Sequence, residues 1–345
     1  MNGVICNGGK HVAVLGGGSW GTALSILLSR NGLNVKLWVY EPELVEIIRK
    51  TRDNAYFLHG FLMSTAIEPS HDLEEVLTDA GCIVLVTPTQ TIRSVLEQAK
   101  KWISPHSILI GASKGIENGT LMRVSEIVSE VLRPISPVRY LVLSGPTFAT
   151  GVARSQPATA VVAGSDEEAA RLAQRLFSNQ AFRVYINDDV TGVELGGALK
   201  NVIAIAAGIV AGLDLGSNAR AALITRGLWE ITRLGAVLGA KLITFQGLTG
   251  MGDLVLTCDG TESRNYQVGY RIGRGENLET IQRSMRMVAE GVKTTIAARE
   301  LARRHAVEMP ITEEVFQTLY HGKPPRQAVL ELMTRSLKSE HQTDI

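Results

Sequence analysis

Val12-Ala-Val-Leu15, Gly16-Gly-Gly-Ser-Trp-Gly21 and Thr22-Ala-Leu-Ser-Ile-Leu-Leu-Ser-Arg30 follow one another without a break, closed by Asn31-Gly32. The first four residues read as a short buried strand and the last nine as a helix, with G-x-G-x-x-G between them. Gly16 allows the tight turn, Gly18 lets the backbone approach a pyrophosphate, and Gly21 lets helix and strand pack closely. The helix start offers N–H donors and the positive end of its dipole to phosphate. This context predicts dinucleotide binding, with Ser19 and Trp20 beside the turn.

The flanking sequence repeats the alternation of apolar strand and amphipathic helix. Lys36–Tyr40 reads as the second strand, Cys82–Val86 as another running into Thr87-Pro88, then a helix over residues 90–101. Further strands are expected at Ser107–Ala112, Tyr140–Leu143, Ala158–Ala163 and Phe182–Ile186, with a capping-box helix opening at Ser165-Asp-Glu-Glu168. Short apolar runs alternating with helices predict a parallel, doubly wound sheet, whose ligands bind at the carboxyl ends of the strands. Three such ends carry the Gly16 loop, Thr87-Pro88 and Ser113-Lys114-Gly115, so Lys114 is expected to face the cofactor crevice. Glu41 lies one place beyond the second strand, where an acid accepts from an adenosine ribose. Arg49, Lys50 and Arg52 are close in sequence, so both NAD and NADP fit.

Strand patterns stop at Asp189, which places a boundary near residue 190. The expected architecture is α/β: a Rossmann-like doubly wound N-terminal domain (1–189) followed by an all-helical C-terminal domain (190–345). The second domain opens with Val193–Gly208, a helix of small and aliphatic residues whose apolar run is broken by one ammonium, Lys200, with Gly196 and Gly197 one turn earlier. A buried ammonium needs a partner. Asp253, behind three glycines in the loop Gly247–Cys258, is its natural carboxylate, holding the lysine charged. Beyond it, Thr261 or Ser263 caps a helix that starts with Arg264 and Asn265, a combination suited to phosphate. Met287–Gly291 opens a later helix with Glu290 in its first turn.

Composition excludes several classes. The chain has 345 residues, 45% hydrophobic and 20% charged, with net charge +1. That balance gives no case for nucleic acid or an anionic membrane as main partner. Cys6, Cys82 and Cys258 lack metal-ligand spacing, which predicts a reducing, cytoplasmic compartment and no metal site. The seven histidines are scattered, so metal or triad chemistry has no support. The N-terminal stretch lacks a signal-peptide pattern. The longest apolar run, Val202–Leu213, reads as too short to span a bilayer, so no stable membrane insertion is expected.

Together, Gly16–Gly21, Ser113–Gly115, Ser144-Gly-Pro-Thr147, Gly196-Gly-Ala-Leu-Lys-Asn201, Gly250-Met-Gly-Asp253 and Ser263-Arg-Asn265 closely resemble the NAD(P)-dependent glycerol-3-phosphate dehydrogenases of bacterial type. The resemblance runs from the first strand to about residue 335 and implies interconversion of dihydroxyacetone phosphate and sn-glycerol 3-phosphate for phospholipid synthesis, by a homodimer. It implies cofactor contacts from Gly16, Gly18, Ser19, Trp20, Gly21, Tyr40, Glu41, Lys114, Ala149, Arg264, Val288 and Glu290. Substrate would meet Lys114, Gly145, Thr147, Lys200, Asp253, Ser263, Arg264 and Asn265. Catalysis falls to Lys200 as proton donor or acceptor, with Asp253 and Lys114. The related β-hydroxyacid and 6-phosphogluconate dehydrogenases resemble a Gly-x-x-x-Lys-x-x-x-Asn pattern, which Gly196 and Lys200 fit but Ala204 breaks. A dinucleotide-sensing regulator without turnover would need the Gly16 loop but not Lys200, Asp253 and Arg264.

Overall fold

Eight strands form one sheet: β1 His11–Leu15, β2 Val35–Trp38, β3 Ile67–Ser70, β4 Ala80–Leu85, β5 Ile108–Gly111, β6 Arg139–Ser144, β7 Ala158–Ala163 and β8 Phe182–Asn187. The structure, a computed structural model, describes residues 9–135, 138–285, 288–337 and 339–340. The chain divides into two compact units, one reaching Lys114 and resuming over Met122–Glu194, the other made of Gly115–Leu121 and the chain from Leu195 onward.

The first unit holds the sheet, in the order β3-β2-β1-β4-β5-β6-β7-β8. Val12 and Val14 pack into one core, Ala13 and Leu15 into another on the opposite face. Such two-faced burial is why these strands read as unbroken apolar runs rather than alternating ones. The order reverses between β1 and β4, the point where doubly wound sheets bind their ligands.

Three features depart from expectation. β7 runs antiparallel to β6, although every other pair is parallel. The link from Ser144 to Ala158 carries one short helix, Ala149–Ala153, too little to cross the sheet and re-enter from the far end. β3 was not legible in the sequence because Ile67-Glu-Pro-Ser70 is polar and contains proline, which is tolerated because β3 is an edge strand. The helix expected to be capped by Ser165 is capped instead by Asp166, which accepts from the Ala169 amide at 3.0 Å.

The second unit is helical throughout its described elements. The helix Val190–Gly212 is 23 residues long, so the expectation of an apolar run too short for a bilayer needs correction. By length and composition it could cross a membrane, but 94% of its apolar window is buried within the protein, as in a core helix. The division between units falls inside this helix, after Glu194. That residue belongs to the first unit because its carboxylate accepts from Arg123 Nη1 (3.0 Å), Ser125 N (2.8 Å) and Oγ (2.6 Å), and Tyr140 Oη (2.9 Å). Gly115–Leu121 joins the second unit because Ile116 and Leu121 bury their side chains in its core.

One buried carboxylate ties together two helices of the second unit. Glu230, 2% exposed, accepts from Ile311 N (2.6 Å) and from Thr312 N and Oγ1 (3.1 and 3.0 Å), capping the helix Pro310–His321. Burial pushes its carboxyl up to about 7, against the pull of those donors and of Arg233. An acid that binds its proton more tightly when folded stabilises the fold fully only at low pH. That contribution, at most about 3 kcal/mol, should fade as pH rises from about 4.5 through 7. Glu230→Gln does not titrate, so the stability difference between the two proteins should shrink across that interval in denaturant titrations. A pH-independent difference contradicts this reading.

Candidate active site

The glycine turn is built as its sequence requires. Gly16 sits at φ 134°, and a β-carbon there would lie 2.9 Å from the Val86 carbonyl at the end of β4. A β-carbon on Gly21 would fall 1.9 Å from the Gly16 oxygen, so no side chain fits at either place. Gly18, the residue before the helix Ser19–Arg30, faces open space, and no side chain caps the helix start. Trp20 Nε1 is buried and makes no hydrogen bond among the described residues. An uncapped helix start, an open glycine and an orphaned donor are features that fit an anionic dinucleotide.

The second strand ends two residues earlier than expected, at Trp38, so Glu41 stands three places past it as the residue that opens the helix Pro42–Thr51. Tyr40 is 76% exposed, edge-on to Trp38 at 6.2 Å between ring centroids. Of the nearby cations, Arg49 binds Glu46 and the Pro69 carbonyl, and Arg52 binds the carbonyls of Met63, Ser64 and Ile67. Lys50 is exposed.

Beyond β5 and β6, Lys114 Nζ donates to the Gly145 carbonyl at 3.2 Å, and Thr147 Oγ1 donates to the same oxygen at 3.2 Å. Gly145, at φ 153°, has no room for a side chain, with Ala160 Cα 2.8 Å from where one would begin. Ala149 starts the short helix that follows and packs against the core. The structure therefore brings Lys114, Gly145 and Thr147 together.

In the second unit Lys200 is 5% exposed and Asp253 fully buried, and the ammonium donates to Asp253 Oδ1. The stretch around Asp253 is helical, not the loop expected. Leu248–Gly252 forms a turn of π-helix and Asp253–Asp259 an α-helix. That change places Thr257 one turn after Asp253. Its hydroxyl accepts from Lys200 Nζ at 2.7 Å and donates to the Asp253 carbonyl at 2.6 Å. Thr257 is the member of this cluster that the sequence reading missed, since i,i+4 spacing signals nothing within a presumed loop. Gly196 serves close approach, because a β-carbon there would meet the Thr249 carbonyl at 2.6 Å. Burial pushes the neighbouring Cys258 thiol up to about 12, which removes it as a nucleophile.

Ser263 caps the helix Arg264–Gly273, accepting from Tyr266 N at 3.2 Å, whereas Thr261 does not cap it. Arg264 donates to the Val288 carbonyl at 3.0 Å; burial pulls its guanidinium below the usual arginine range and Glu290 opposes this. Asn265 Oδ1 accepts from Gly291 N at 2.9 Å. Val288 is 53% exposed, Glu290 begins the helix Glu290–Arg304, and Met287, expected to open it, lies outside the described residues. Ser263, Arg264, Asn265, Val288 and Glu290 thus form one cluster. Among the described residues no group of histidines, cysteines and carboxylates could hold a metal ion.

Comparison with known proteins supplies two family matches. Residues 11–170 match the NAD-dependent glycerol-3-phosphate dehydrogenase N-terminus, and residues 189–330 match the C-terminus of the same family. A glycerol-3-phosphate dehydrogenase [NAD(P)+] of Geobacter sulfurreducens is 54% identical over 96% of this chain and 99% of its own length. The enzyme of that name from Carboxydothermus hydrogenoformans is 50% identical over the same shares. The crystal structure of glycerol-3-phosphate dehydrogenase from Coxiella burnetii superposes with a TM-score of 0.91 at 39% identity, covering 94% of this chain and 99% of that one.

Proposed function

This chain belongs to the NAD-dependent glycerol-3-phosphate dehydrogenase family, and we propose that it reduces dihydroxyacetone phosphate to sn-glycerol 3-phosphate, reversibly, with NADH or NADPH. The observation that carries the reading is the buried Lys200–Asp253–Thr257 cluster. In the first unit the helix start at Gly18, with Ser19, Trp20, Tyr40, Glu41, Lys114 and Ala149, would hold the dinucleotide, and the family resemblance assigns further cofactor contacts to Arg264, Val288 and Glu290. When bound, the nicotinamide supplies the hydride.

The rest of the chemistry belongs to side chains of this chain. As the ketone carbon becomes tetrahedral, its oxygen gains negative charge and needs a proton. Lys200 delivers it from Nζ, held in direction by Asp253 and Thr257. In the reverse reaction the same nitrogen receives the proton. Arg264, Ser263 and Asn265 hold the phosphate, remote from the reacting carbon, so that its binding energy fixes the geometry at that carbon. The family resemblance assigns substrate contacts to Lys114, Gly145 and Thr147 as well. The proposal extends to a homodimer in the cytoplasm that feeds phospholipid synthesis, supported by the family resemblance.

The test is NADH or NADPH oxidation by the purified protein with dihydroxyacetone phosphate, beside NAD+ or NADP+ reduction with 6-phosphogluconate or a β-hydroxyacid. Turnover with the triose alone supports the reading, and turnover with the acids alone overturns it. Cofactor choice is tested at Glu41. If its carboxylate accepts from the adenosine ribose, Glu41→Arg should weaken NADH and favour NADPH. An unchanged ratio of kcat/KM for the two nucleotides would show that Glu41 points elsewhere.

A further inference from the structure

The segment after the helix Pro42–Thr51 carries no strand or helix pattern, and the activity just proposed assigns it nothing. Its Asn54 is nevertheless fully buried, with 0% exposure. Asn54 Nδ2 donates to the Gly17 carbonyl at 2.8 Å and to Thr22 Oγ1 at 2.8 Å, while Oδ1 accepts from Phe57 N at 3.1 Å. Thr22, also fully buried, donates more weakly to the same Gly17 oxygen at 3.4 Å. The amide cannot be turned round. Flipped, its oxygen would oppose the Gly17 oxygen and its nitrogen the Phe57 N–H. The segment is itself fastened, because Asp53 accepts from Gly60 N at 3.0 Å and pairs with His59 at 2.5 Å.

We infer that Asn54 is a positioning residue for the dinucleotide, acting through the Gly17–Gly18 peptide. In a trans peptide the carbonyl and the following N–H point in opposite directions. Tying the Gly17 oxygen inward therefore turns the Gly18 N–H the opposite way. An unrestrained triple glycine would lose that orientation to conformational freedom, and binding would have to restore it. Asn54 and Thr22 keep the turn preorganised for a pyrophosphate without touching it.

This inference rests on the dinucleotide reading, and its test separates the two. Asn54→Asp is nearly isosteric but sets an acceptor against the Gly17 oxygen. Thr22→Val removes the second anchor with a smaller change. Dissociation constants are measured by titration calorimetry for NADH, for ADP-ribose, which keeps the pyrophosphate, and for adenosine, which lacks it. Asn54→Asp should weaken NADH and ADP-ribose by about tenfold or more. Thr22→Val should weaken them less, and adenosine should change little in either variant. At saturating NADH, kcat should stay within about twofold, because an orienting role acts on binding rather than on proton transfer. Unchanged NADH affinity in both variants, with melting temperatures showing that they fold, overturns the role of Asn54. Equal weakening of all three ligands overturns it too, since that marks general damage to the unit. Failure of the unaltered protein to bind NADH, NADPH or ADP-ribose overturns the functional reading, and this one with it.

Discussion

Lys200→Met should lower the reduction of dihydroxyacetone phosphate by about 10²–10⁴-fold, the usual loss when a general acid is removed. Nucleotide binding should persist, because the Gly16 turn belongs to the other compact unit. The structure adds a consequence for stability. Asp253 is fully buried, and methionine leaves its carboxylate without the ammonium. Removing one partner of a buried pair costs about 3–5 kcal/mol, a large share of a typical folding free energy. The two effects separate in the double variant Lys200→Met/Asp253→Leu. Replacing the whole pair by apolar groups should restore most of the lost stability while activity stays low. Recovery of both together would mean that the single variant was inactive because it was unfolded. Near-normal turnover in the folded single variant would remove Lys200 from the mechanism.

Arg264→Leu should distinguish substrates by their phosphate. A charge-assisted fork contributes about 1.5–3 kcal/mol per hydrogen bond, so kcat/KM for dihydroxyacetone phosphate should fall by one to several powers of ten. Unphosphorylated dihydroxyacetone, already a poor substrate, should lose far less. Some loss common to both is expected, because Arg264 also holds the Val288 carbonyl ahead of the helix Glu290–Arg304. The phosphate-dependent part is the excess. Equal losses, with a raised dissociation constant for the nucleotide, would move Arg264 from the substrate to the cofactor.

Much of this was legible in the sequence for one physical reason: buried segments leave a one-dimensional record. The strand, glycine turn and helix of residues 12–30 could be read because apolar runs and obligatory glycines sit side by side. Lys200 and Asp253, 53 positions apart, could be paired because each is a charge stranded among apolar neighbours. What depends on three-dimensional partners left no such record. β3 carries proline and polar residues because an edge strand tolerates them. The π-turn before Asp253 resembles a glycine-rich loop in sequence, and with that turn unread Thr257 had no place beside Lys200. Nor does Asn54, within Arg52-Asp-Asn-Ala55, announce that its amide reaches Gly17 across 37 positions.

In the proposed reaction, hydride passes to the ketone carbon of a phosphorylated triose. Its most direct test is to supply dihydroxyacetone phosphate with NADH or NADPH deuterated at the transferable position of the nicotinamide, and to locate the label in the product by NMR. The product should be sn-glycerol 3-phosphate carrying deuterium on C2, with the hydroxyl proton drawn from solvent by way of Lys200. A product without deuterium on C2, or no product with either nucleotide, would contradict it.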